Sequence, residues 1–186
     1  MVALTLRLCA LVVSLAAMAP ISTLAQVDRT VAETQIKAAF LYKFSAFVEW
    51  PPKAFARPDS PFTIGVIGAD ELAAELEQIV KGRTILERAV VVRRMRRGES
   101  VAGLQMLFIG QAEGARLAEI LAIAKGQSVL TVTESEDALS HGSMINFVSV
   151  DDKVRFDVAL PQAERGALRI SARLLAVARK VVASSS

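Results

Sequence analysis

The sequence predicts one α/β domain built on a mixed, mainly parallel sheet flanked by helices, and three observations carry that prediction. Short apolar runs of strand length recur at Phe62–Ile67, Ala89–Met95, Leu104–Ile109 and Ser128–Thr133. Helix-patterned segments separate the first run from the second and the third from the fourth, the rhythm of parallel strands joined by right-handed crossovers. After residue 143 the pattern changes to two runs, Met144–Val150 and Lys153–Leu160, on either side of Asp151-Asp152, which reads as an antiparallel hairpin with a short turn.

Each element has a local reason. Thr30-Val-Ala-Glu33 fits a capping box and predicts a helix start, because the Thr hydroxyl and Glu carboxylate can satisfy free amides. The helix that follows carries Ile36, Phe40, Phe44 and Phe47 as one stripe and must stop by Trp50, since Pro51-Pro52 cannot continue it. Gly68-Ala-Asp70 turns the first strand into a helix that runs to about Lys81 and stops at Gly82. Gly110 turns the third strand, and a helix runs from about Glu113 to Lys125 before Gly126. In the hairpin, Val154, Phe156 and Val158 alternate with Arg155 and Asp157, which predicts a half-exposed ribbon. Pro161 opens a short turn ending at Gly166. A last helix is expected from about Ser171, with Leu174, Val177, Ala178 and Val181 on one face. No repeat or linker divides this stretch, so the whole is a Rossmann-like sandwich with a C-terminal hairpin.

Composition limits the chemistry. The 186 residues are 53% hydrophobic and only 5% aromatic, with one Cys and one His. One Cys excludes an internal disulfide framework, and one His excludes multi-His metal ligation within the chain. Residues 1–25 hold a single charge, Arg7, then an apolar run from Leu8 to Ala19, Pro20 and small residues, the arrangement of a secretory signal peptide. Cleavage is expected after Ala25, with Gln26 leading an exported domain over residues 26–186; the alternative is an uncleaved anchor over Leu8–Ala25. Cleavage removes Cys9, so the exported domain has no cysteine, no disulfide and no thiol chemistry.

Several pieces of the chain resemble one family. Phe47-Val-Glu-Trp-Pro51, Phe62-Thr-Ile-Gly-Val-Ile-Gly68, Leu107-Phe-Ile-Gly110, Gly142-Ser-Met-Ile-Asn-Phe147 and Leu168-Arg-Ile-Ser-Ala-Arg-Leu-Leu175 stand in the same order and spacing as in the YfiR family. The resemblance covers about Glu33 to Val182. It implies a periplasmic α/β protein of Gram-negative bacteria. It also implies partners: the periplasmic part of an inner-membrane diguanylate cyclase or sensor, which is repressed, and an outer-membrane lipoprotein that relieves the repression. Many relatives carry cysteines where this chain has Gly65 and Leu104, so a redox disulfide suggested for some of them does not carry over.

The residues themselves favour binding over catalysis. No catalytic residue, cofactor or metal site is expected. Trp50, Pro51 and Phe55 form an aromatic and proline patch after the first helix, suited to protein contact or to folding back on the core. Arg93, Arg94, Arg96 and Arg97 are the densest charge cluster. Export removes nucleic acid as their partner, and an acidic protein surface or anionic lipid remains, beside the alternative of a solvated strand end. A second reading is a small-ligand crevice at the strand ends, formed by Gly68, Gly110, His141, Asn146 and Arg173. Gly68 and Gly110 have no GxGxxG around them and also read as plain turn glycines. His141 has Asp137 and Ser140 near it in sequence, but that does not place a triad in space, and it reads as an exposed loop residue. Glu134-Ser-Glu136-Asp137 reads as acid available to cap a helix. The abundance of apolar residues leaves a homodimer open.

Overall fold

The computed structural model describes residues 21–183. By its internal packing the chain divides after Ala32. Of the first unit, the described part is the start of helix α1 (Ile21–Phe44). Helix backbone is therefore already present before Thr30, and the expected capping box is an interior stretch of α1. Residues 1–20, most of the expected leader, lie outside the described residues. No described helix is long and apolar enough to cross a membrane.

From Glu33 on, the chain forms one α/β domain. Its strands are β1 (Val48–Glu49), β2 (Phe62–Ile67), β3 (Thr84–Ile85), β4 (Arg88–Arg94), β5 (Met106–Ile109), β6 (Leu130–Thr133), β7 (Ile145–Val150), β8 (Lys153–Ala159), β9 (Arg169–Ile170) and β10 (Lys180–Val182). The helices after α1 are α2 (Asp70–Val80), α3 (Leu117–Ala124), α4 (Leu160–Arg165) and α5 (Ala172–Leu175). Eight strands form the main sheet in the order β10-β8-β7-β6-β5-β2-β4-β3, while β1 and β9 pair as a small antiparallel sheet. The neighbours β4, β2, β5, β6 and β7 run parallel; β7–β8 and β3–β4 are antiparallel hairpins. Both hairpins turn on two residues with positive φ, Asp151–Asp152 and Leu86–Glu87, whose backbone twist matches that of paired strands.

Side-chain alternation sorts the sheet into two faces. On one face Phe62, Ile64, Val66, Met106, Phe108, Val132, Ile145, Phe147, Phe156 and Val158 pack against Ala38, Leu41 and Phe44 of α1 and Leu72, Ala73 and Leu76 of α2. On the other face Ile67, Leu107 and Ile109 pack under Leu117 and Leu121 of α3, with Met95, Val101 and Leu104.

Three expectations are corrected. The phenylalanine stripe breaks, because α1 ends at Phe44, Phe47 lies beyond it, and Ile36 is 45% exposed. Asp157 is buried rather than solvent-facing, so the hairpin's second strand is covered along both faces at that point. The expected C-terminal helix is one turn, α5, after which Lys180–Val182 pair parallel to Asp157–Ala159 as edge strand β10. Val177, expected on the buried face of that helix, is 65% exposed.

Candidate functional site

The second face of the sheet changes character along one row. The strand registers align Ile67, Ile109, Thr133, Asn146, Asp157 and Lys180 in line across β2, β5, β6, β7, β8 and β10. The first two are covered by the α3 layer; from β6 outward the row is polar, and no helix of apolar residues can close over it without stranding polar groups. The result is an open cleft of about 1030 Å³, lined among others by Lys37, Glu134, Asn146, Asp157, Arg179 and Lys180.

The floor is held by hydrogen bonds. Asn146 Oδ1 accepts from Thr133 Oγ1 at 2.7 Å and from the Ser135 amide at 3.2 Å. Thr133 Oγ1 also meets Ser143 Oγ at 2.9 Å. Asp157, 5% exposed, takes both Nε and Nη2 of Arg179, a forked pair that satisfies both carboxylate oxygens. Arg179 is the better solvated partner, so removing it leaves a buried carboxylate unpaired. Arg179→Met is expected to lower the urea midpoint of the fold, and Asp157→Asn added to it should recover most of that loss. Urea unfolding of the two variants checks this.

One wall is fixed by Glu134. Its Oε2 receives Lys37 Nζ at 2.6 Å and its Oε1 receives the Gln111 amide at 3.0 Å, so one carboxylate ties α1, the end of β6 and the start of the 3-10 turn Gln111–Arg116. Lys37 also reaches Glu33 at 2.6 Å. Burial by itself would lower the Lys37 pKa; the hydrogen bonds that Lys37 donates to Glu134 and Glu33 outweigh it and hold the ammonium above its ordinary range. A raised lysine pKa means that this stabilisation is complete below the ordinary lysine range and is lost only as pH climbs through the folded-state value.

The residues singled out in the sequence fall in different places. Trp50 folds onto the core: its indole N–H donates to the Gln105 carbonyl at 3.0 Å and its ring stands edge-on to Phe62 at 4.9 Å. Its outer side, with Pro51, lines a groove of about 480 Å³ beside Glu164, Leu168 and Arg169. Phe55 lies against Phe62 under the Arg88 guanidinium, 3.9 Å away. The arginine cluster is dispersed by strand alternation and by the loop after β4. Arg94 forks onto Glu77, whose carboxyl this bond holds below its ordinary range. Arg97 binds the buried Glu113, Arg93 binds the Ser100 carbonyl, and Arg96 is exposed. Gly68 and Gly110 do come together, as turns packed on each other: a Cβ on Gly110 would lie 2.3 Å from the Gly68 carbonyl oxygen, and one on Gly68 would lie 2.7 Å from Glu113 Cγ. Asn146 lines the main cleft, His141 lines a smaller one of about 240 Å³, and Arg173 is exposed on α5.

Sequence reasoning missed Lys37, Asp157, Arg179 and Gln105. Gln105, 1% exposed, receives the Thr63 amide and donates to the Ala54 carbonyl, so it ties the Trp50–Phe55 loop to the sheet. A polar residue inside the apolar run Leu104–Ile109 was its one signal. The Lys37–Glu134 and Asp157–Arg179 pairs had none, because each joins residues far apart in the chain.

Among the described residues no group of three His, Cys, Asp or Glu side chains is placed to hold a metal ion. Fold and site together define a mixed α/β domain with an open polar cleft on a half-covered sheet. The chain matches the YfiR/HmsC-like family over residues 34–179 and belongs to it. No curated protein matches it. The cysteine positions noted for relatives are neighbours here: a Cβ on Gly65 would lie 2.6 Å from Leu104 Cδ1, so Leu104 fills the space above the glycine.

Proposed function

We propose that the protein is a periplasmic, non-enzymatic regulator that represses an inner-membrane signalling protein, a diguanylate cyclase in the first instance, through that protein's periplasmic part. The observation that carries this is membership of the YfiR/HmsC-like family across most of the chain. An outer-membrane lipoprotein that competes for the regulator would relieve the repression. The physical requirement is that the regulator bind the inactive conformation of its target more tightly than the active one; equal affinity for both would shift nothing. The leader expected over residues 1–25 supplies export, and Trp50, Pro51, Phe55 and the exposed Arg96 remain candidate contacts with the target. Deleting the gene in its source organism is expected to raise cellular cyclic di-GMP and surface adhesion, and expression from a plasmid to restore both. Unchanged cyclic di-GMP on deletion would remove the cyclase from the proposal.

A further inference from the structure

The cleft carries charge of opposite sign on its two walls, and the pairs already described do not use all of it. On the β6 side, Glu136 and Asp137 follow Glu134 and have no ion-pair partner among the described residues; both are exposed. On the β10 side Lys180 is exposed and likewise unpaired, and Arg179 keeps Nη1 clear of its fork onto Asp157. Ser135 Oγ, which also borders the cleft, is buried and has no hydrogen-bond partner among the described residues. Between the walls lie Asn146, whose Oδ1 is bonded to Thr133 and Ser135, and Asp157, whose carboxylate is held by Arg179.

Distance decides what such a site can hold. From β6 to β10 the sheet order counts three strand intervals, about 14 Å at the usual strand spacing. A free amino acid bears both charges on one carbon and cannot reach both walls. A polypeptide in extended form advances about 3.3 Å per residue, so about five residues span the gap. A volume of about 1030 Å³ lies at the upper limit of small-molecule pockets and suits a short segment of chain.

We infer that this cleft is a docking site for an extended, dipolar polypeptide segment of the partner protein, with a cationic side chain against Glu136 and Asp137 and an anionic one against Lys180 and Arg179. The inference rests on the partner-binding proposal above and names its surface. Opposed charge across the gap sets orientation and excludes segments whose two ends bear the same sign.

The test uses the purified protein and two blocked pentapeptides, acetyl-Lys-Ser-Val-Ser-Glu-amide and the same peptide with Lys at both ends, followed by backbone amide NMR at physiological salt. Saturable shifts around Glu136, Asn146 and Lys180 are expected with the dipolar peptide, and at least about tenfold weaker binding with the dicationic one. Glu136→Lys or Lys180→Glu alone should weaken dipolar binding about tenfold, and the double variant should restore it, because the peptide can bind turned end for end. Both substituted positions, Glu136 and Lys180, are exposed, and circular dichroism reports that the variants remain folded. Free lysine or glutamate producing the same shifts would overturn the segment in favour of a small ligand. Shifts that depend on protein concentration without peptide would overturn it in favour of a second copy. No shift with either peptide would overturn the cleft as the docking surface, while a rise of cyclic di-GMP on gene deletion would leave the regulatory proposal standing.

Discussion

Phe44→Ala is expected to destabilise the domain by about 4 kcal/mol, the largest effect of any single truncation considered for this fold. Phe44 is the last residue of α1 and is fully buried. Its ring contacts Phe40 and Phe147 in stacked arrangements at 5.7 Å and meets Phe156 edge-on at 4.9 Å. Those partners come from α1, β7 and β8, so the ring joins the first helix to the hairpin that bears the polar floor. Truncation opens a cavity between elements whose relative placement is set by rigid sheet pairing, and such a site collapses poorly. The measurement is the urea midpoint followed by the fluorescence of Trp50, the chain's one tryptophan. A loss below about 1 kcal/mol would contradict this packing.

Gly110→Ala is expected to come second, at about 3 kcal/mol. The backbone there is ordinary, with φ −73°, so alanine meets no conformational penalty; the whole effect is the added methyl against the Gly68 carbonyl at 2.3 Å. Both atoms in that clash belong to tight turns, and the Gly110 amide is already bonded to the Ile67 carbonyl at 2.8 Å. Gly126→Ala makes the contrast. It has φ +76° and nothing within 4 Å of its would-be Cβ, so only left-handed strain remains, about 1 kcal/mol. If the two variants unfolded at the same urea concentration, close approach would not be what Gly110 is for.

How much of this was legible depended on whether the signal was local. Phe62–Ile67 is a strand because five residues of strand propensity around Gly65 end at Gly68, a glycine with φ +70°, and the structure returns the same bounds. The Asp151–Asp152 hairpin was readable for the same reason: turn chemistry between two alternating runs. The C-terminal segment misled, because Leu174, Val177, Ala178 and Val181 match a helical period over too few residues. The β-branched pair Val181-Val182 instead found a free edge on β8, a partner that local pattern does not reveal. The arginine cluster misled in another way. Neighbours in sequence point to opposite faces of a strand, so Arg93 and Arg94 were never one patch.

The cleft was the least legible part. Glu134 was visible as acid after a strand, and Asn146 as a polar residue in an apolar run. Their meaning depends on Lys37, Asp157 and Arg179, which reach the same place from α1, β8 and the residue just before β10. Only the sheet order makes these neighbours. The same order explains why the site is open: α3 covers the strands with Ile67 and Ile109, and its cover ends where the row turns polar at Thr133.

The central claim is that this domain works by holding a membrane signalling protein. Its most direct test is to crosslink a tagged, exported copy in intact cells and identify the captured inner-membrane proteins by mass spectrometry. The account predicts one with a periplasmic region and a cytoplasmic diguanylate cyclase domain, captured by the unaltered protein and lost when Glu136→Lys or Lys180→Glu reverses one wall of the cleft. Normal export and folding with no inner-membrane protein captured by the unaltered form would contradict it.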